Sequence, residues 1–136
     1  MLTNYRLRSD KDLIAQVQKA TVTTERFGIE STHGLFGSPE WWQHVRDGTL
    51  PVHTLRGAIT RVYMGSMNDW PEFTMRSDTG QESSWSRYAS DPVFASLYTV
   101  GRRIELDYVV QRHRPNSFDD GAEDKIPIEI RVDENV

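Results

Sequence analysis

The chain has 136 residues, 37% hydrophobic and 26% charged, a length and balance that suit one globular domain able to bury a core of its own. It has no cysteine, which excludes disulfides, thiolate metal sites and cysteine nucleophiles, and its net charge of -4 gives no general attraction to nucleic acid or to an anionic membrane. Residues 1–8 hold no apolar run of signal-peptide length and no stretch approaches a membrane span, so the expected compartment is the cytoplasm.

Ser9-Asp10-Lys11-Asp12 reads as a helix start with Ser9 as cap, and Leu13, Ile14, Val17 and Ala20 then fall on one face, which predicts a helix over 10–20. The β-branched run Thr21-Val22-Thr23-Thr24 is expected to end it. After a glycine-containing connector, Ser38-Pro39-Glu40 combines a capping hydroxyl, a proline at the first helical position and an acid in the first turn. With Gly48 as the stop signal, this predicts a second short helix, Pro39–Asp47.

The rest reads as strands. Residues 49–55 are an extended lead-in, and 57–64 carry apolar residues on both faces, as a central strand does. Phe73 and Met75 alternate with Thr74 and Arg76, Asp78-Thr79-Gly80 marks a hairpin, and 83–88 return with Trp85 and Arg87 on one face. Asp91-Pro92 repeats the cap-plus-proline signature and predicts a helical turn over Pro92–Leu97. Ile104, Leu106, Tyr108 and Val110 then alternate with Glu105, Asp107 and Gln111. A polar loop over 113–125 leads to a last strand of alternating Ile126, Ile128, Ile130 and Val132, placed at an edge by Pro127.

The fold class expected is α+β in a single domain: two short N-terminal helices within 1–48, followed over 49–136 by a small twisted antiparallel sheet or partly open barrel of about five strands. The meander, the helical turn and the strand entry Gly101-Arg102-Arg103-Ile104-Glu105-Leu106 resemble an OB-type barrel over about half the chain. That resemblance concerns the fold and carries no function.

No Walker loop, dinucleotide fingerprint or nucleophile-elbow serine is present. His33, His44, His53 and His113 lack the i, i+4 spacing of a helical zinc pair, and the acidic run at 119–124 lacks the ligand pattern of a calcium loop, so neither a metal nor a cofactor is expected. The most distinctive feature is the loop at 65–71. Met67, Asn68, Asp69 and Trp70 suit a protein-binding loop, and the adjacent Trp41 and Trp42 point about 100° apart on a helix, so that one of them is free to serve as an interface anchor. The plainer reading packs Trp70, Trp41 and Trp42 onto the end of the sheet and bonds Asn68 and Asp69 to their own backbone.

The function read first is therefore a small non-enzymatic protein that binds another protein, of inhibitor, immunity or adaptor type. A second reading gathers Arg61, Arg76, Arg87, Arg102, Arg103 and Tyr63 into a basic, aromatic face for single-stranded nucleic acid. The negative net charge and the acids on the same strands weigh against it. A third places an enzyme site or a ligand pocket at one end of a barrel.

Overall fold

A computed structural model describes residues 1–23, 28–65, 70–113 and 122–134. The protein is α+β. Strands β1 (Leu2–Arg6), β2 (His53–Gly65), β3 (Trp70–Ser77), β4 (Glu82–Ser86), β5 (Arg103–Arg112) and β6 (Glu123–Val132) form one antiparallel sheet in the order β1-β6-β5-β2-β3-β4. The helices are α1 (Lys11–Thr23) and α2 (Pro39–Asp47), with 3-10 turns at Leu7–Ser9 and Pro92–Leu97. The sheet is open, and it has one strand more than the sequence indicates. The additional strand, β1, is hard to read because a bulge between Thr3 and Tyr5 breaks its alternation.

The chain forms two compact units. One comprises Met1–Arg6, Thr54–Asp107 and Glu129–Val136, and the other comprises Leu7–His53 and Tyr108–Ile128.

In the first unit the meander β2-β3-β4 behaves as its alternation predicts, with one adjustment. A bulge between Ile59 and Arg61 switches the phase of β2, so that Ile59 opposes Met75 and Val62 opposes Phe73. Ile59 is therefore buried with Phe73 and Met75, together with Trp85, Ile104, Leu106 and Ile130, while Val62 is half-buried. Gly57 sits opposite Ser77, where the two backbones approach closely. Gly80 takes φ +91 in the β3–β4 turn, as a hairpin glycine does. At the far edge of the sheet, the Ser90 amide donates to the Asn4 carbonyl at 2.9 Å and the Arg6 amide donates to Ser90 Oγ at 3.1 Å, so residue 90 covers part of the open side of β1.

In the second unit α1 is capped by Asp10, not Ser9: Asp10 Oδ1 accepts the Leu13 amide at 3.2 Å. The helix also runs on to Thr23, through the β-branched residues expected to stop it. Thr21 Oγ1 donates to the Val17 carbonyl one turn back, which satisfies its hydroxyl inside the helix. Helix α2 has the boundaries the sequence indicates, with Ser38 Oγ accepting the Trp41 amide and Gly48 left-handed at φ 81. The core of this unit includes Leu7, Phe36, Trp41, Trp42, Leu50 and Val109. Leu13, Val17 and Val45 are half-buried at its margin.

Two readings of the last strands need correction. In β5 the buried positions are not on one side throughout: Ile104 and Leu106 are buried in the first unit, whereas Val109 and Gln111 are buried in the second, with Tyr108 and Val110 half-buried. Strand β6 is interior, between β1 and β5. Its pairing with β1 covers only Glu129 to Val132, so Pro127 lies on a stretch of β6 without a β1 neighbour.

Candidate functional site

The first unit presents one polar sheet face. Residues that alternate with its buried core carry it: Glu129 and Arg131 on β6, Arg103, Glu105 and Asp107 on β5, Thr54 and Arg56 on β2, and then, past the β2 bulge, Arg61 and Tyr63 beside Trp70, Glu72, Thr74 and Arg76 of β3 and Ser84 and Ser86 of β4.

One half of this face is an ion-pair ladder centred on Arg131. Its guanidinium reaches Asp107 through Nη1 at 2.8 Å and Nη2 at 3.0 Å, Glu105 at 3.2 Å and Glu129 at 2.5 Å. Arg56 closes on Glu105 at 3.1 Å, Arg6 on Glu129 at 3.2 Å, and Thr54 Oγ1 donates to Asp107 at 2.7 Å. The Arg131 hydrogen bond holds the Glu105 carboxyl below its usual range, against a smaller opposing effect of burial and with Arg56 assisting. Burial pushes Asp107 up, but hydrogen bonds from Arg131 and Thr54 outweigh it and the carboxyl lies below its usual range. Arg103 and Asp78 form a two-pronged pair at 2.8 and 2.9 Å beside the ladder. These charges satisfy one another across four strands, which makes this half a structural surface.

The other half is less committed. Trp70, the first residue of β3, is 52% exposed, and its Nε1 donates to Ser86 Oγ on β4 at 2.6 Å. The hydroxyls of Thr74 and Ser84 meet at 2.9 Å one register step along. On β2 the Arg61 guanidinium lies over the Tyr63 ring, 4.3 Å from its centroid. An exposed indole held in one orientation, with hydroxyls and a stacked guanidinium nearby, offers apolar area and hydrogen-bonding groups together.

Of the residues singled out from sequence, Trp70 is the one placed on this surface as a protein-binding candidate. Met67, Asn68 and Asp69 lie outside the described residues. Trp41 and Trp42 are both buried on α2 in the second unit: Trp41 Nε1 donates to Gln111 Oε1 at 2.9 Å, and Arg8 lies over the Trp42 ring at 4.4 Å. The arginine set is divided. Arg61 and Arg76 are exposed on the polar face with Tyr63, and Arg103 is there but paired with Asp78. Arg102 is buried and donates to the Asp133 carbonyl, and Arg87 donates to the Tyr63 carbonyl at 3.0 Å and the Met64 sulfur at 3.5 Å. Ser86 escaped the sequence reading, since a serine on a short strand carries no signal until the register places it beside Trp70.

His44 meets His33 edge-on, with ring centroids 5.3 Å apart, and His53 lies against Tyr108 at 5.2 Å. Among the described residues, no group of three His, Asp or Glu side chains could hold a metal ion, and no helix is long and apolar enough to cross a membrane.

A family model described as "Immunity protein RhsI2" matches residues 2–133, nearly the whole chain and every strand and helix above. Comparison with curated proteins gave no match.

Proposed function

The chain belongs to the RhsI2 immunity protein family, and on that premise we propose that it protects its cell by binding a protein toxin through the polar face of the β2-β3-β4 meander, with Trp70 as the anchor. An immunity-type protein works by binding a partner protein. The observation that carries this reading is the half-exposed indole of Trp70 pinned by Ser86. Large aromatic side chains dominate protein interfaces, and one already held in place loses little conformational freedom on binding. The absence of cysteine supports the cytoplasm as the compartment where this occurs.

The test is a protection assay. Candidate toxin domains are expressed in cells with and without this chain, and the domain that it neutralises is purified and titrated against it. Trp70→Ala is expected to weaken binding roughly 30-fold or more, the scale of an interface hot spot, without lowering the melting temperature by more than a few degrees. Equal affinity and equal protection by the Trp70→Ala protein would remove this face from the interface.

A further inference from the structure

We propose that the toxin adds an extended segment to the sheet along the open edge of β4. This inference rests on the immunity reading above and specifies how the contact is made.

The hydrogen-bond parity of the β3–β4 hairpin identifies the free groups. The Ser77 amide donates to the Gln81 carbonyl at 2.8 Å and the Arg87 amide to the Pro71 carbonyl at 3.0 Å. In an antiparallel pair, bonded positions alternate. With Met75 opposite Ser83 and Phe73 opposite Trp85, the odd-numbered residues of β4 bond to β3, and Glu82, Ser84 and Ser86 turn their amides and carbonyls outward. The Ser86 carbonyl accepts the Tyr88 amide at 2.9 Å. Among the described residues nothing bonds the backbone of Glu82 or Ser84, and both residues are exposed.

The two edges of the sheet are treated differently. Residue 90 covers outward-facing groups of β1, whereas on β4 the Ser86 carbonyl is taken by Tyr88 and the backbone groups of Glu82 and Ser84 have no such cover among the described residues. Edge strands are commonly protected by lysine, proline or a bulge. Strand β4, Glu-Ser-Ser-Trp-Ser, has no lysine or proline, and its pairing with β3 is regular. Outward main-chain donors and acceptors in strand geometry are matched by another extended main chain, the chemistry of strand addition.

The side chains define the incoming segment further. Those of Ser84 and Ser86 stand on the polar face beside Thr74 and the Trp70 indole. A segment residue opposite Ser86 therefore has an indole at its flank and favours a large apolar side chain. Four residues away, the position opposite Glu82 favours lysine or arginine, because a carboxylate there would face another. The partner is thus an extended toxin segment with a large apolar residue and a basic residue four apart.

The experiment uses the toxin domain that the intact chain neutralises. Amide hydrogen exchange is followed in the free protein and in the complex, and affinity is measured for Ser84→Pro and Ser84→Ala. Proline removes the outward amide and is tolerated at an edge position, whereas alanine keeps the amide and removes only the hydroxyl. Strand addition predicts that exchange at 82 and 84 slows at least tenfold in the complex, that Ser84→Pro binds at least tenfold more weakly, and that Ser84→Ala binds within threefold of the unaltered chain. Should Ser84→Pro fail to fold, the exchange data decide alone. If the unaltered chain binds while 82 and 84 exchange as fast as when free, strand addition is overturned and the immunity reading stands. If no toxin domain is bound or neutralised, both fall.

Discussion

Trp41 and Gln111 lie 70 residues apart and share a buried hydrogen bond, the indole Nε1 donating to the amide oxygen at 2.9 Å. The pair explains why a glutamine is acceptable in the core: its oxygen is satisfied by a side chain that the core needs anyway for its bulk. Its Nε2 also reaches the Glu30 carbonyl at 3.5 Å. Trp41→Phe should therefore cost more than the lost apolar area, since it strands a buried acceptor, a penalty of about 1–3 kcal/mol. Adding Gln111→Leu should recover part of the loss, because removing both polar partners is gentler than removing one. Denaturant unfolding of the two single variants and the double variant measures this. A double variant less stable than the sum of the singles predicts would contradict the pairing.

That pair also shows where the sequence is legible and where it is not. Local signals were readable: Ser38, Pro39 and Gly48 delimit α2, Asp91 and Pro92 start the 3-10 turn, and Gly80 makes the hairpin. Each acts within a few residues through capping or backbone conformation. Which side of a strand is covered is a longer-range property. Alternation places Gln111 with the polar residues of β5, yet Gln111 is buried and bonded to Trp41, whereas Glu105 and Asp107 are only half-buried. Arg102 reads as a surface arginine yet is buried, because the Asp133 carbonyl and Thr99 Oγ1 are there to accept from it. The candidate site follows the same rule. Trp70 stood out as an aromatic beside a loop, whereas Ser86, 16 residues on, becomes its partner only through the β3–β4 register.

Gly57 illustrates a glycine required by proximity. A Cβ at this position would come within 2.0 Å of the Arg76 carbonyl oxygen on β3, which is backbone and cannot swing aside. Gly57→Ala should force β2 and β3 apart close to the bulge and destabilise the protein by roughly 1–3 kcal/mol, as overpacking does. A thermal melt within a degree of the unaltered protein would show that the strands separate at no cost.

Asp124 should be a destabilising carboxylate at neutral pH. Burial raises its pKa, with the nearby His113 and the Lys125 amide opposing the shift only in part. A carboxyl whose folded pKa lies above its unfolded value binds protons more readily when folded, so its contribution to stability improves as pH falls. Asp124→Asn removes the charge at every pH. The variant should melt higher than the unaltered protein at pH 7, and the difference should shrink as the pH is lowered through 5 toward 3, where the aspartate is itself protonated. Melts at these three values test the sign, and a lower melting temperature for Asp124→Asn at pH 7 would reverse it.

Arg131 carries the opposite dependence. Its guanidinium neutralises Asp107, Glu105 and Glu129 at once, and its own side chain is only about one-fifth exposed. Replacing it with methionine keeps the aliphatic stem and leaves three carboxylates facing one another. Solvent screening limits the cost at this exposure, so about 2 kcal/mol at pH 7 is expected for losing several charge-assisted hydrogen bonds. Glu105 and Asp107 have folded pKa values below their unfolded ones. The stability they contribute is therefore complete above about pH 5 and is lost as pH falls through the unfolded value near 4 and on toward the folded values. In Arg131→Met the largest part of that contribution is gone, with Arg56 and Thr54 left to hold Glu105 and Asp107, and protonation relieves repulsion among the carboxylates. The stability gap between the two proteins should thus be widest at neutral pH and close as the pH approaches 2. Urea midpoints at pH 7, 4 and 2.5 measure the gap directly, and a difference that stays constant across that range would mean that Arg131 stabilises the sheet by packing alone.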